Sequence, residues 1–396
     1  MMFWLLFSQM VLPTGAIIRG INDAGLSLFL HHEAGEENAV LSPYSIGSGL
    51  HSLLLGADGS TYLQLSKLLQ PTEAPHIELE KMSASLVKTT ENTILRISNK
   101  IFHQHDTILA TQFQQVSTEY LNAGLMAVDF KDPQLNQLIT DINSQVEKET
   151  NGKISNLLSE GIITAETRMV LVNILYFKGT WKHKFKKYRT TDREFYIGTN
   201  RHVLVPTMQL EQQLRYAESD DFQSAALEFL DTDIEMILYK PKHNLKILLS
   251  KLLNHEAVDN AYEKMSYQSV ELNLPKFLVE SKYSLKGALM ALGLDHLFDD
   301  SVADFSRMTA SGARELTVSE VLHNTFLSVD ENGCEAASAT ASVMRLTRSA
   351  PIGPEPIKLH LNVPFLYMLR DKKSGVVLFV GTQTTFSGAV IDHTEL

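Results

Sequence analysis

Few residues in this sequence have the types and the spacing that catalytic chemistry requires. His31, His32 and Glu33 could suggest metal ligands, but adjacent residues of a helix point about 100° apart, so a polar helix end is favoured. Serine, histidine and aspartate are plentiful, yet none of the motifs G-x-S-x-G, H-E-x-x-H, G-x-x-x-x-G-K-[ST] and G-x-G-x-x-G occurs. We therefore expect no enzymatic activity, no metal and no cofactor.

One segment of the sequence concentrates positive charge. The run Lys178–Arg189, with the sequence KGTWKHKFKKYR, contains six lysines and arginines and no acidic residue. Such a run could bind a polyanion weakly, although most runs of this kind are simply solvated surface. Both interpretations stay open from the sequence, and the segment is called the basic run below.

The composition indicates a globular protein whose surface is acidic overall. The 396 residues carry 35 basic and 46 acidic side chains, a net charge of −11, which argues against a general nucleic-acid binder. The hydrophobic content of 44% is enough for a large core. Cys334 is the only cysteine, so an intramolecular disulfide and any site that needs several cysteines are excluded.

The two ends of the chain suggest targeting, with a plainer alternative at each. Residues 1–16 contain no charged side chain and predict a secretory signal, or else an N-terminal extension of the first helix. The tail 387–396 ends in HTEL, which resembles endoplasmic-reticulum retention signals but is also typical of an ordinary tail. Secretion or the extracellular surface is the first expectation, with the endoplasmic reticulum or the cytoplasm as alternatives.

Hydrophobic spacing predicts helices first and strands later. Residues 15–160 appear mostly helical, with a helix start at Ser42-Pro43 and a helix over 133–150. A further helix is predicted at 283–294. Later apolar runs predict strands at 168–177, 234–240, 245–250, 270–277 and 376–383. An imperfect alternation of apolar and polar residues predicts a partly buried strand at 317–330. This order indicates an α+β fold around a large antiparallel or mixed sheet, in one domain.

A segment of small residues follows the strand predicted at 317–330. From Cys334 to Ser342 the side chains are small and mostly uncharged, and a Pro-rich stretch begins at Pro351. Propensity alone predicts a weak helix or an exposed linker there.

Several segments, taken in order, resemble the serpin family of serine-protease inhibitors. They are NAVLSPYSI (38–46), SNKIF (98–102), NGKISNLL (151–158), MVLVNILYFKGTW (169–181), LPKF (274–277), LHNTFLSVDENGCEAASAT (322–340) and PFLYMLRDKKSGVVLFVG (364–381). The resemblance implies a single serpin domain over 17–386 with three β-sheets and eight or nine helices. It also implies an exposed reactive-centre loop at about 331–357.

The resemblance also implies a mechanism in which the cleaved loop inserts into the main sheet as a new strand. Successive side chains of a strand point to opposite faces, so every second residue must fit between the sheet and the core. The set made of every second residue from Cys334 to Met344 has uncharged and mostly small side chains. The hinge residues are Glu331, Gly333, Cys334, Glu335, Ala336, Ala337, Ser338 and Ala339. Cys334 replaces the usual Ser or Thr, and an exposed thiol there could be oxidised or alkylated.

By the same resemblance, other residues control the opening of the sheet. The gate residues are Ser42, Ser45, Asn173, His323 and Trp181. The first four match a polar cluster under the strands that separate, and Trp181 matches an aromatic residue where the loop begins to insert.

The bond that a target protease cleaves is predicted to be Arg348-Ser349. A trypsin-like enzyme requires Arg or Lys before the cut, and Arg345 is the second choice. The usual family spacing from the hinge glycine instead places the cut after Thr347, which would suit an elastase-like enzyme. From Gly333 to Arg348 the extended chain would span about 50 Å, from one pole of the protein towards the other.

Two functions from different classes follow. The first is a monomeric suicide-substrate inhibitor that forms a covalent 1:1 complex with a trypsin-like serine protease. The second is a non-inhibitory serpin that acts as a carrier or chaperone, retained in the endoplasmic reticulum if HTEL is a signal. The uncharged inserting face favours inhibition.

Overall fold

The computed structural model describes residues 14–32, 36–86, 90–121, 123–150, 152–154, 157–158, 161–198, 200–334, 355–388 and 390–392. Nine α-helices occur in these ranges: α1 (Thr14–His31), α2 (Pro43–Gly56), α3 (Gly59–Leu69), α4 (Pro75–Leu86), α5 (Thr111–Leu121), α6 (Leu135–Glu149), α7 (Leu245–Leu252), α8 (His255–Glu263) and α9 (Lys286–Ala291). Short 3-10 helices lie at Lys187–Arg189 and Asp295–Phe298. No described helix combines the length and the apolar character that crossing a membrane needs.

The described strands number sixteen, and they separate into two hydrogen-bonded sheets. They are β1 (Ala39–Leu41), β2 (Thr93–Gln104), β3 (Ala123–Val128), β4 (Met169–Thr180), β5 (Thr191–Gly198), β6 (Arg201–Glu218), β7 (Phe222–Glu228), β8 (Ile234–Pro241), β9 (Ser266–Pro275), β10 (Phe277–Ser284), β11 (Val318–Val329), β12 (Gly333–Cys334), β13 (Ile357–His360), β14 (Phe365–Asp371), β15 (Val377–Gln383) and β16 (Ile391–Asp392).

The smaller sheet has six strands in the order β10-β11-β12-β4-β2-β3, and β11 also pairs directly with β4. The larger sheet has ten strands, in the order β1-β15-β14-β8-β7-β6-β9-β13 with β5 and β16 paired to β6. The second and third sheets of the expected three are joined here because β6 is long, pairing with β5 near its start and with β7 and β9 further along.

Helix α2 lies at the centre of the molecule, and its sequence explains its start. Ser42 is the N-cap and its side chain accepts a hydrogen bond from the backbone N–H of Ser45, while Pro43 occupies the first turn. All of its residues except Leu55 are buried. The helix predicted from Ser42-Pro43 is therefore confirmed, as is the helix at 133–150, observed as α6.

The strands predicted at 168–177 and 317–330 are confirmed as β4 and β11. The prediction of a mostly helical segment over 15–160 is wrong for β2 and β3, which pair with each other and with β4. Both strands lie in the six-stranded sheet, where long-range pairing outweighs local propensity.

Two other predictions are wrong in part. Residues 245–250 form the helix α7 rather than a strand: Asn244 caps it by accepting from the Lys246 N–H, and its buried leucines follow helical spacing. The helix predicted at 283–294 is shorter, because β10 continues to Ser284 and α9 covers only six residues. Gly293, with φ of +87°, follows the end of that helix.

Candidate functional site: the hinge and the strands around it

The centre of the six-stranded sheet is a parallel pair that leaves room for a strand at one end. Strands β4 and β11 are paired from Met169 opposite Val318 to Tyr176 opposite Phe326. Beyond that point β12, which is only Gly333–Cys334, lies between them: Cys334 pairs with Val329 of β11 and with Gly179 of β4. Gly333 and Cys334, the first residues of the segment that is predicted to insert, are therefore already paired with both strands.

Close backbone approach makes glycine necessary at this position. A Cβ atom on Gly333 would lie 1.9 Å from the carbonyl oxygen of Gly179, and a Cβ on Gly179 would lie 2.6 Å from the ring of Phe177. The contact at Gly333 is with backbone atoms and cannot be relieved without moving the strands, whereas the contact at Gly179 would require the buried ring of Phe177 to shift. The pair of glycines allows the chain to leave β11, turn back and pass between the two strands.

Cys334 is completely buried in the described structure, with a relative exposure of 0%. It belongs to the same hydrophobic cluster as Phe177, Leu327, Val329 and Trp181. The sequence-based expectation of an exposed thiol is wrong for this conformation, because β12 is covered on both faces. Oxidation or alkylation would first require the hinge to leave the sheet.

The turn before β12 is held by contacts from the segment that follows β4. The backbone N–H of Trp181 donates to the Asn332 carbonyl at 2.8 Å, and that of Phe185 donates to the Glu331 carbonyl at 3.0 Å. The indole Nε1 of Trp181 donates to the Asp330 carbonyl at 2.9 Å. The basic run therefore holds the base of the hinge through consecutive residues 330–332.

Glu331 adds a side-chain contact to the same turn. Its Oε2 lies 2.9 Å from Lys276 Nζ, and its Oε1 accepts a hydrogen bond from Thr190 Oγ1 at 2.8 Å. Burial would raise the pKa of this carboxyl, but the hydrogen bonds from Lys276 and Thr190 outweigh burial and hold the pKa below its ordinary value. The group stays ionised and anchors the hinge.

Four of the gate residues form one buried hydrogen-bonded cluster under β4 and β11. His323 of β11 accepts from the backbone N–H of Ser42 at 2.9 Å through Nε2. Asn173 of β4, its register partner, donates to the Ser45 carbonyl at 3.3 Å. Because one strand supplies His323 and the other Asn173, separation of the strands must disturb these contacts.

Asn99 of β2 completes this cluster and was not predicted. It accepts from Asn173 Nδ2 at 2.8 Å and donates to Ser48 Oγ at 2.8 Å. The SNKIF segment that contains Asn99 supported the family resemblance, but nothing in its spacing indicated a role for the asparagine. Only the pairing of β2 with β4 places Asn99 beside Asn173.

Trp181, the fifth gate residue, lies apart from the cluster, at the end of the sheet where β12 is seated. Its ring is buried and stacks on Phe229 at a centroid distance of 4.4 Å with an interplanar angle of 16°. Together with its bond to Asp330, this packing joins the ten-stranded sheet to the hinge turn.

Burial keeps two histidines of this region neutral. Desolvation lowers the pKa of His323 to about 3, although a backbone contact with Asn173 opposes the shift. Desolvation likewise lowers the pKa of His51 in α2 to about 4, against the effect of its bond to the Gly47 carbonyl.

We expect these two histidines to make the protein less stable in weak acid. The unfolded chain takes up protons near pH 6.5 whereas the folded chain does not until pH 3–4, so stability is lost as pH falls below about 6.5. The two groups together should lower the free energy of unfolding by about 2–3 kcal/mol between pH 7.5 and pH 5.5.

Urea unfolding midpoints at these two pH values measure this effect. The variant His51→Gln should lose the share of the pH dependence that His51 contributes, about half of the 2–3 kcal/mol of the pair, and His183→Gln, at an exposed site of the basic run, should keep all of it. Equal midpoints at both pH values in the unsubstituted protein would contradict the burial of neutral histidines.

Several predicted residues lie outside the described residues. They include Glu33, most of the proposed signal (residues 1–13), the hinge residues Glu335, Ala336, Ala337, Ser338 and Ala339, the cleavage candidates Arg345, Thr347, Arg348 and Ser349, and the HTEL tail. Thr14, Gly15 and Ala16 belong to α1. Within the described part of the chain, no group of three or more His, Cys, Asp or Glu side chains could hold a metal ion.

Comparison with known proteins identifies the family of this architecture. A family model described as "Serpin (serine protease inhibitor)" matches residues 19–385. Human Serpin B3 is 34% identical over 370 residues, covering 87% of this chain and 93% of the relative. The human leukocyte elastase inhibitor is 32% identical over 374 residues, covering 91% of this chain and 95% of the relative. The crystal structure of native protease nexin-1 with heparin has a TM-score of 0.84 at 26% identity. The match covers 94% of this chain and 100% of the chain in that structure.

Proposed function

This chain belongs to the serpin family, and we propose that it is a suicide-substrate inhibitor of trypsin-like serine proteases. The protease would attack the carbonyl carbon of Arg348, form an ester to its own serine and release the amine of Ser349. The cleaved loop would then extend β12 between β4 and β11 before water hydrolyses the ester. The covalent 1:1 complex is the product.

The seating of Gly333–Cys334 between β4 and β11 is the observation that carries this proposal. Insertion needs a start point at which a new strand already pairs with both neighbours, and β12 has both pairings. Further strand growth would replace β4–β11 pairing by two new ladders, a form of β-strand addition. The glycine pair and the small, buried Cys334 meet the steric requirement at that start point.

The choice of a trypsin-like target rests on the sequence. Arg348 precedes the proposed cut, with Arg345 as the alternative within the same class. Cleavage after Thr347 would instead suit an elastase-like enzyme, and a relative 32% identical to this chain is a leukocyte elastase inhibitor. Arg348 is preferred because it gives a long inserted strand and a side chain that trypsin-like enzymes bind.

Incubation with trypsin tests this proposal directly. We expect a complex that survives SDS and a released C-terminal peptide that begins at Ser349. The variant Arg348→Ala should form no complex with trypsin, and Arg345→Ala should form it at a similar rate. Complete loop cleavage with no complex from any trypsin-like or elastase-like enzyme would instead favour the non-inhibitory carrier or chaperone.

A further inference from the structure

A cavity of about 500 Å³ lies between the first turns of α1, the helix α4 and two turns of the ten-stranded sheet. The two turns are the one before β8 and the one between β14 and β15. Cavities that bind small organic molecules usually measure about 300–1,000 Å³, so this one has a suitable size. None of the described residues that line it belongs to the hinge or to the gate.

Part of the cavity wall is apolar. Ile17 and Ile18 of α1 and Met82 of α4 line the cavity, and all three are buried. They belong to one hydrophobic cluster, so the wall they form is held in place by the core behind it. The flexible thioether of Met82 can adjust to the shape of an apolar ligand.

Glu78 of α4 lines the same cavity and is only 4% exposed. Both of its carboxylate oxygens are buried, and neither has a hydrogen-bond partner among the described residues. A carboxylate that is buried without a partner destabilises a fold strongly. A cationic group in the cavity would remove that penalty.

The other carboxylates of the cavity already have partners. Lys373 Nζ lies 2.7 Å from Asp233 Oδ2. Asp371 Oδ2 accepts hydrogen bonds from the backbone N–H and the hydroxyl of Ser374, both at 2.7 Å. Lys81, one turn further along α4, is exposed and makes no hydrogen bond to Glu78. Among the described lining residues, Glu78 is therefore the acidic group whose charge is not met.

We propose that this cavity, called the amine pocket below, binds a small primary amine with an apolar aromatic body. The ammonium group pairs with Glu78, and the aromatic body packs against Ile17, Ile18 and Met82. An ammonium has three donors for the two free carboxylate oxygens. An organic cation fits better than a metal ion, because no group of three or more metal-ligating side chains occurs in the described part of the chain. The amine pocket does not rest on the proposed inhibition of proteases.

Titration calorimetry with 2-phenylethylamine as the probe tests the amine pocket on the full chain. We expect saturable binding of one equivalent with a Kd below about 1 mM. The neutral analogue 2-phenylethanol, which has the same aromatic body, should bind at least ten-fold more weakly. Added NaCl should have little effect on the amine, because a buried ion pair is screened weakly.

A matched pair of variants on α4 locates the charge. Glu78→Gln keeps the shape of the side chain and should weaken binding of 2-phenylethylamine at least ten-fold. The control Glu80→Gln removes an exposed carboxylate from the same helix and should bind the amine normally. Ser85→Trp, at an exposed position that lines the cavity, should block the probe by filling the space.

The same pair gives a second measurement without any ligand. Glu78→Gln removes a buried charge that has no partner, so it should raise Tm by about 1–3 °C. Glu80→Gln should leave Tm unchanged. A lower Tm for Glu78→Gln would show that the carboxylate has a partner within the protein, and the proposal would be wrong.

Three binding results would also overturn the proposal. Failure of 2-phenylethylamine to saturate below about 10 mM would exclude the site. Equal binding of the amine by Glu78→Gln and the unsubstituted protein, or equal binding of 2-phenylethanol and the amine, would exclude the role of the carboxylate. Tighter binding of N-acetyl-lysine amide than of 2-phenylethylamine would assign the cavity to a lysine side chain of a protein partner instead.

Discussion

Replacing Cys334 by arginine is expected to convert the protein from an inhibitor of its target protease into a substrate. Cys334 is fully buried between β4 and β11, at the start of the strand that must grow. An arginine there would place an unpaired charge in the sheet core at a cost of about 3–5 kcal/mol. That cost corresponds to at least a 100-fold shift from complex formation towards hydrolysis of the acyl-enzyme.

The yield of SDS-stable complex per cleaved loop measures this partition. Cys334→Arg should give cleaved protein and no complex, while cleavage itself proceeds at a rate close to that of the unsubstituted protein. The matched control Cys334→Thr, which keeps a small uncharged side chain, should give a normal yield. An undiminished complex from Cys334→Arg would mean that position 334 does not enter the sheet.

The main strands were predictable because their physical signal is local. Strand β4 begins with a continuous apolar run, which a central strand covered on both faces needs, and β11 alternates apolar and polar residues imperfectly. The leucine-rich segment 245–250 has a similar composition but forms α7. Its capping residue Asn244 and the spacing of its buried leucines separate the two cases.

The geometry of the site was less accessible from sequence. The resemblance identified Asn173 and His323, but it gave no indication that Asn99 joins them, since that contact depends on the register of β2 against β4. The resemblance implied an exposed Cys334, whereas the turn at Asp330–Gly333 returns the chain into the sheet. Such contacts join residues far apart in the chain, and no local pattern encodes them.

The surroundings of the basic run could not be predicted from the sequence either. The density of lysine is visible in the sequence, but both a solvated surface and a polyanion site are compatible with it. The structure adds the bonds from Trp181, Phe185 and Thr190 to the hinge turn. These bonds place the basic run beside the turn at residues 330–332.

Loop insertion also predicts that the cleaved protein is far more stable than the intact one. About a dozen new backbone hydrogen bonds, each worth a net 0.5–1.5 kcal/mol, would add roughly 10 kcal/mol. A chain of 396 residues loses about 0.8 kcal/mol of stability per degree near its melting temperature. Cleavage in the loop should therefore raise Tm by roughly 10–15 °C. On the proposed mechanism the intact fold would be held by a kinetic barrier.

The most direct test is the melting temperature of the protein before and after a single cleavage in the loop, measured on the unsubstituted chain and on Cys334→Arg. The unsubstituted chain should gain roughly 10–15 °C on cleavage, and Cys334→Arg should gain little because its cleaved loop cannot enter the sheet. Identical melting curves for the intact and cleaved unsubstituted protein would show that β4 and β11 stay paired with each other and that no strand inserts between them.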